Sequence, residues 1–112
     1  MKQTLIYKTT DSCHIHADIY GPSDDVIRPV IAWFHGGALI NGDRGRIAHE
    51  QLSFYLEAGY RVVSCDYRLA PETKLPAIIE DLVDAIRWIR EMSTTLRIDP
   101  EKLAVMGHSA GG

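Results

Sequence analysis

Positive charge is the first thing missing. Lys and Arg number 12 against 15 Asp and Glu, giving a formal net charge of −3, and the basic residues are scattered rather than gathered into a patch. That leaves no electrostatic case for a nucleic acid or an anionic membrane surface as partner. Long hydrophobic runs are missing too. No apolar stretch approaches the ~18 residues of a membrane span, and the start, Met1-Lys2-Gln3-Thr4-Leu5-Ile6-Tyr7-Lys8, has no signal-type apolar core. A cytoplasmic protein without nucleic-acid or membrane partners is therefore expected. Cysteine is scarce: Cys13 and Cys65 fall in runs that read as strands, without metal-ligand spacing, which predicts two reduced, partly buried thiols and excludes a disulfide framework. Repeats, low complexity and internal linkers are absent. What remains, 112 residues that are 46% hydrophobic and 24% charged, is the composition of one ordinary globular unit.

Taken in order, Leu5-Ile6-Tyr7 and Cys13 to Tyr20 flank the turn-like Thr9-Thr10-Asp11-Ser12. The second run alternates Cys13, Ile15, Ala17 and Ile19 with more polar residues. This predicts an antiparallel pair with one solvated face. His14 and His16 share the polar face, but no third ligand lies nearby, so they read as surface histidines and no metal is expected. After the turn cluster Gly21-Pro22-Ser23-Asp24-Asp25, the continuous run Val30 to Phe34 reads as a strand buried on both faces. Ile47, Ala48, Gln51, Leu52, Tyr55 and Leu56 recur at helical spacing up to a capping Gly59. Arg61 to Cys65 is a second buried strand. Pro76 then opens a helix to Met92, with Ile78, Leu82, Val83, Ile86 and Ile89 as the core stripe and Asp81 mostly elsewhere. Ile98 to Lys102 reads as a turn before a last strand, Leu103 to Met106. Strands alternating with helices predict an α/β sheet with an antiparallel N-terminal pair.

Three stretches carry chemistry. Gly107-His108-Ser109-Ala110-Gly111 fits G-x-S-x-G directly after an apolar strand, the pattern in which a serine sits on a strained turn between strand and helix. The pentapeptide alone also fits a glycine-rich turn. His35-Gly36-Gly37-Ala38 follows a buried strand, and successive glycines let backbone N–H groups approach a developing oxyanion; it too fits a plain turn. In Asp66-Tyr67-Arg68-Leu69-Ala70-Pro71-Glu72 the charges are dense for a solvated loop. They predict an internally hydrogen-bonded network of Asp66, Arg68 and Glu72 that pins it.

In this order and at these separations, the three motifs resemble the α/β-hydrolase fold, specifically the hormone-sensitive-lipase-like carboxylesterases, across residues 1–112. The resemblance implies a mostly parallel sheet of about eight strands. This chain would supply about the first five, as the N-terminal portion of one domain ending at the nucleophile elbow. It implies Ser109 as the nucleophile on a small carboxylic ester, and the backbone N–H groups of Gly36, Gly37, Ala38 and Ala110 as the oxyanion hole. His35 would brace the turn, with Asp66, Arg68 and Glu72 as structural support and His108 packed beneath the elbow. Ala38 stands where many relatives have a third glycine. No cofactor is implied. In this fold the triad acid and histidine follow the serine, so these residues alone are expected to be catalytically inactive and marginally stable. Two further readings share the elbow: hydrolysis of another acyl compound, such as a formamide or a peptide, and a non-enzymatic ligand-binding member of the fold.

Overall fold

Two runs without a polar face organise the sheet. Val30 to Phe34 and Arg61 to Cys65 are buried at every position, and strands of that kind need cover on both sides. The computed structural model describes residues 2–10, 13–36, 43–69 and 73–107. Strands β1 (Lys2–Thr9), β2 (His14–Tyr20), β3 (Arg28–Phe34), β4 (Arg61–Cys65) and β5 (Ile98–Gly107) form one sheet in the order β1-β2-β4-β3-β5. β1 pairs antiparallel with β2 and β2 with β4, while β3 runs parallel to both β4 and β5. Helix α1 (His49–Glu57) lies in the crossover from β3 to β4, and α2 (Leu75–Glu91) with the short α3 (Ser93–Leu96) in that from β4 to β5.

The two crossovers, β3 to β4 and β4 to β5, run in opposite directions across the sheet. Because such connections are right-handed, their helices fall on opposite faces. Accordingly, Val30, Ala32, Phe34, Val63 and Cys65 pack with Ile78, Ala85 and Ile89 of α2. On the other face, Trp33 and Val62 pack with Ile47 and with Leu52, Tyr55 and Leu56 of α1. The reversal of direction creates a switch point at the carboxyl ends of β3 and β5, where open α/β sheets form their ligand crevice.

Several local expectations change. On α2 the buried stripe is Ile78, Asp81, Ala85 and Ile89; Val83 is 49% exposed and Asp81 is completely buried. The carboxylate takes a core position because two cations meet it there. Leu82 and Ile86 are half-buried, and each buried isoleucine supplies about 1.5–3 kcal/mol of hydrophobic stabilisation. The outer face of β2 is not solvated at Asp18, which is 3% exposed beneath Arg44. α1 starts at His49, after a 3-10 turn at Arg44–Arg46, and Gly59, at φ 93°, follows its last turn as predicted. The turn placed at 98–102 is absorbed into β5: between the pairs Arg28↔Ile98 and Val30↔Leu103, β3 advances two residues and β5 five. The excess bulges from the ladder, with the Glu101 N–H donating to Asp99 Oδ1 at 3.0 Å. Cys13 lies outside the strands and is exposed, whereas Cys65 is buried in β4, where burial pushes its thiol pKa up. Both are free thiols.

Candidate active site

β3 and β5 end together, with Phe34 opposite Gly107. Two residues on from the first lies Gly36, and two residues on from the second is Ser109 in sequence. His35 and Gly36 are buried at the end of β3. Gly37, Ala38, Glu72, His108, Ser109 and Ala110 lie outside the described residues.

His35 is a fixture of the sheet end, 1% exposed. Its ring stacks on Tyr67, with centroids 4.2 Å apart and planes within 4°. The Tyr67 hydroxyl donates to the His35 carbonyl at 2.7 Å, and burial raises the pKa of that phenol. His35 Nδ1 lies 2.8 Å from the Gly36 carbonyl. Since a carbonyl only accepts, Nδ1 carries a proton. Nε2 is buried and meets no partner among the described residues.

The loop after β4 is held from outside itself. Arg68 closes on Asp81 of α2, with Nε 2.9 Å from Oδ2, NH2 2.8 Å from Oδ1, and the Arg68 N–H donating to Oδ2 at 2.9 Å. Lys8 of β1 reaches the same carboxylate at 2.9 Å. Burial pushes the Asp81 pKa up, but the hydrogen bonds from Arg68 and Lys8 outweigh it and hold the group below its ordinary range. Asp66 pairs with Arg44: NH1 donates to Oδ2 at 2.5 Å and the Arg44 N–H to Oδ1 at 2.8 Å. Arg44 Nε also reaches Asp18 Oδ1 at 3.0 Å. Tyr7 donates its hydroxyl to the Asp66 carbonyl. The expectation that Asp66 and Arg68 pair within their own loop is thus corrected. Their partners are Arg44, which precedes α1, and Asp81 of α2, so each charge is met by a different segment outside the loop.

Sequence reading missed Asp81, Arg44, Asp18 and Tyr67 as members of this scaffold. Asp81 had a signal, since it stands three residues after Ile78 and four before Ala85, on the buried stripe itself. Arg44 had none, its carboxylates being 22 and 26 residues away. Among the described residues no cluster of His, Cys, Asp or Glu could hold a metal ion, and no helix is long and apolar enough to cross a membrane. A cavity of about 420 Å³ opens at the other end of the strands, between Lys2, Gly21, Asp24, Arg61 and Arg97. It lies away from the switch point, and Arg61 already donates to the carbonyls of Pro22, Val26 and Arg97 and to Asp24.

Comparison with known proteins points the same way as the sheet. The BD-FAE family model matches residues 17–112. Esterase LipI of Mycobacterium tuberculosis is 41% identical over 97 residues, which cover 84% of this chain and 30% of that protein. The non-reducing polyketide synthase atr1 of Stereocaulon alpinum is 34% identical over 98% of this chain, a match confined to 5% of the synthase. Among solved structures, esterase 2 of Thermogutta terrifontis superimposes with a TM-score of 0.88 at 29% identity, over 98% of this chain and 41% of that one. The chain therefore spans less than half the length of each of these relatives. It belongs to the BD-FAE family and carries the N-terminal part of the α/β-hydrolase fold of the hormone-sensitive-lipase-like carboxylesterases.

Proposed function

We propose that the whole protein hydrolyses small carboxylic esters through an acyl-enzyme on Ser109. The observation that carries this reading is the pairing of Phe34 with Gly107 on parallel neighbours. The strands that precede His35-Gly36-Gly37-Ala38 and G-x-S-x-G in sequence thus end as neighbours at the same end of the sheet, which supports the two segments acting on one carbonyl. A nucleophile and a set of backbone donors must be neighbours for one carbonyl to reach both.

In the proposed reaction Ser109 Oγ attacks the ester carbonyl carbon and its proton passes to a histidine. The negative charge that develops on the carbonyl oxygen is met by the N–H groups of Gly36, Gly37, Ala38 and Ala110. The C–O bond to the alcohol then breaks, and the histidine returns the proton to the departing alkoxide oxygen. Water attacks the acyl-Ser109 carbonyl in turn, giving the carboxylic acid and the free serine. The acid and histidine of the triad are supplied from beyond residue 112, following the chain order of this fold. Residues 1–112 form the part of the domain that ends at the elbow, and alone they hydrolyse esters no faster than background. Support for small acyl groups comes from the Thermogutta esterase, solved with propionate and with butyrate bound. That enzyme was also solved phosphoramylated by tabun, which supports an activated nucleophile in the family.

The test uses the full-length protein. A fluorophosphonate probe should label Ser109, and p-nitrophenyl acetate and butyrate should be turned over. An adduct on another residue, or none on an active preparation, would sink the Ser109 assignment. Turnover of an aryl formamide or a peptide anilide in preference to esters would replace the substrate class. Ligand retention without any hydrolysis would make the protein a binding member of the fold.

A further inference from the structure

The segment that carries the proposed oxyanion donors is gripped at both ends by consecutive residues of one loop. At its entry the Tyr67 hydroxyl donates to the His35 carbonyl and the two rings stack. At its exit the Asp66 carboxylate takes both the N–H and the guanidinium of Arg44. Asp66 is itself fixed to the sheet, its N–H donating to the His16 carbonyl at 2.9 Å and its carbonyl accepting from Tyr7. Arg44 has no hydrogen-bonding freedom left along its backbone: Ser64 Oγ donates to its carbonyl at 2.5 Å. Its Nε meets Asp18, whose Oδ1 also accepts from Thr4 at 2.6 Å. Asp43, next to it, closes the 3-10 turn by accepting from the Gly45 N–H at 2.8 Å.

We propose that Arg44 is a positioning residue for ester hydrolysis: by bridging Asp18 of β2 to Asp66 beyond β4, it fixes the exit of the oxyanion segment relative to its entry. The inference rests on the reading of Gly36, Gly37 and Ala38 as oxyanion donors. One cation spans two carboxylates from different segments, and only a planar fork with several N–H groups can serve both while its own backbone N–H is also committed. Hydrogen bonds from Arg44 to Asp18 and Asp66 outweigh the burial of the guanidinium and raise its pKa, so the fork stays charged. The two ends so fixed, at His35 and Arg44, are the anchors of the segment whose N–H groups would meet a transition-state oxygen, a position that tolerates little error. Displacement by about 1 Å in such a site costs on the order of a hundredfold in rate.

The experiment compares Arg44→Met and Arg44→Lys with wild type in the full-length enzyme. In Arg44→Met, amide hydrogen exchange across residues 36–46 should accelerate at least about tenfold while α2 keeps its protection. For p-nitrophenyl butyrate, kcat should fall about 10- to 100-fold with KM changed by less than about threefold, because the loss is confined to the transition state. Arg44→Lys should recover part of kcat but not all. Unchanged exchange in folded Arg44→Met overturns the proposal, as does accelerated exchange with unchanged kcat, which would make the clamp purely structural. Should Arg44→Met fail to fold, Tyr67→Phe carries the same test from the entry side, with lowered kcat at constant KM expected and an unchanged kcat overturning it. A wild-type protein without esterase activity or fluorophosphonate labelling would instead overturn the hydrolase reading. The exchange measurement would then still report whether the clamp holds its loop.

Discussion

The arginines at the two ends of the parallel strands are employed differently. At the N-terminal end Arg61, 4% exposed, donates to the carbonyls of Pro22, Val26 and Arg97 and to Asp24, which also holds Arg28 in a two-bond pair. The fit is tight. A Cβ on Gly21, at φ 151°, would stand 2.8 Å from Arg61 NH1. Arg97, left-handed at φ 56°, offers its carbonyl to both Arg61 and the Arg28 N–H. At the C-terminal end Arg44 joins two carboxylates, and Arg68 with Lys8 surrounds a third. An arginine satisfied mainly by backbone carbonyls staples a turn. One satisfied by carboxylates from separate segments fixes those segments relative to each other, which is what a site assembled from several loops requires.

If that contrast is right, damage at the two ends should separate activity from stability. The largest effect is expected from Ser109→Ala in the full-length enzyme, where ester turnover should drop by at least about a thousandfold with the melting temperature unchanged, since one hydroxyl is lost. Residual Ser109-independent hydrolysis near the wild-type rate would remove the site from this end of the sheet. Next comes Arg68→Ala, which leaves the fully buried Asp81 with Lys8 as its remaining cation. Denaturant unfolding should show a loss of about 2–4 kcal/mol, toward the lower side of what breaking a buried pair costs. Unchanged unfolding with abolished activity would make Arg68 a substrate contact instead. At the opposite end Arg61→Met should cost less, about 1–3 kcal/mol, because Asp24 and the freed carbonyls can turn to water, and kcat at 25 °C should not move. A fall in kcat there would erase the distinction between the two ends.

The smallest effect is a slope. The Asp81 pKa is held below the ordinary 3.8, so the ionised carboxylate contributes stability that is fully present above that value. The contribution is lost as pH falls through the lower, folded value. The stability gap between wild type and Asp81→Asn should accordingly be constant near neutrality and narrow below about pH 4. A gap that widened on acidification would mean that Asp81 is not ionised in the native state.

Much of this molecule was legible in one dimension because the information was local. Continuous burial of Val30 to Phe34 and Arg61 to Cys65 marked parallel strands, alternation in Ile15, Ala17 and Ile19 marked β2, and Gly59 marked the end of α1. These features depend on residues within a few positions of each other, where periodicity and backbone preference act. The bulge inside β5 escaped because Asp99 and Pro100 carry turn chemistry that is equally at home in an extended strand's irregularity. The burial of Asp81 escaped because a charge on a helix is ordinarily solvated, and only Lys8 and Arg68, 73 and 13 residues away, reverse that cost.

The sequence by itself determined the order of strands and helices, the family and the residue types available for the chemistry, since each is written in short motifs at fixed spacing. Only the tertiary structure decided who pairs with whom. Asp66 could not be assigned to Arg44, nor Arg68 to Asp81, until the switch in strand order had brought β2, β4 and α2 to the same end of the sheet. An ion pair depends on distance in space, and a folded chain sets that distance independently of separation along the sequence.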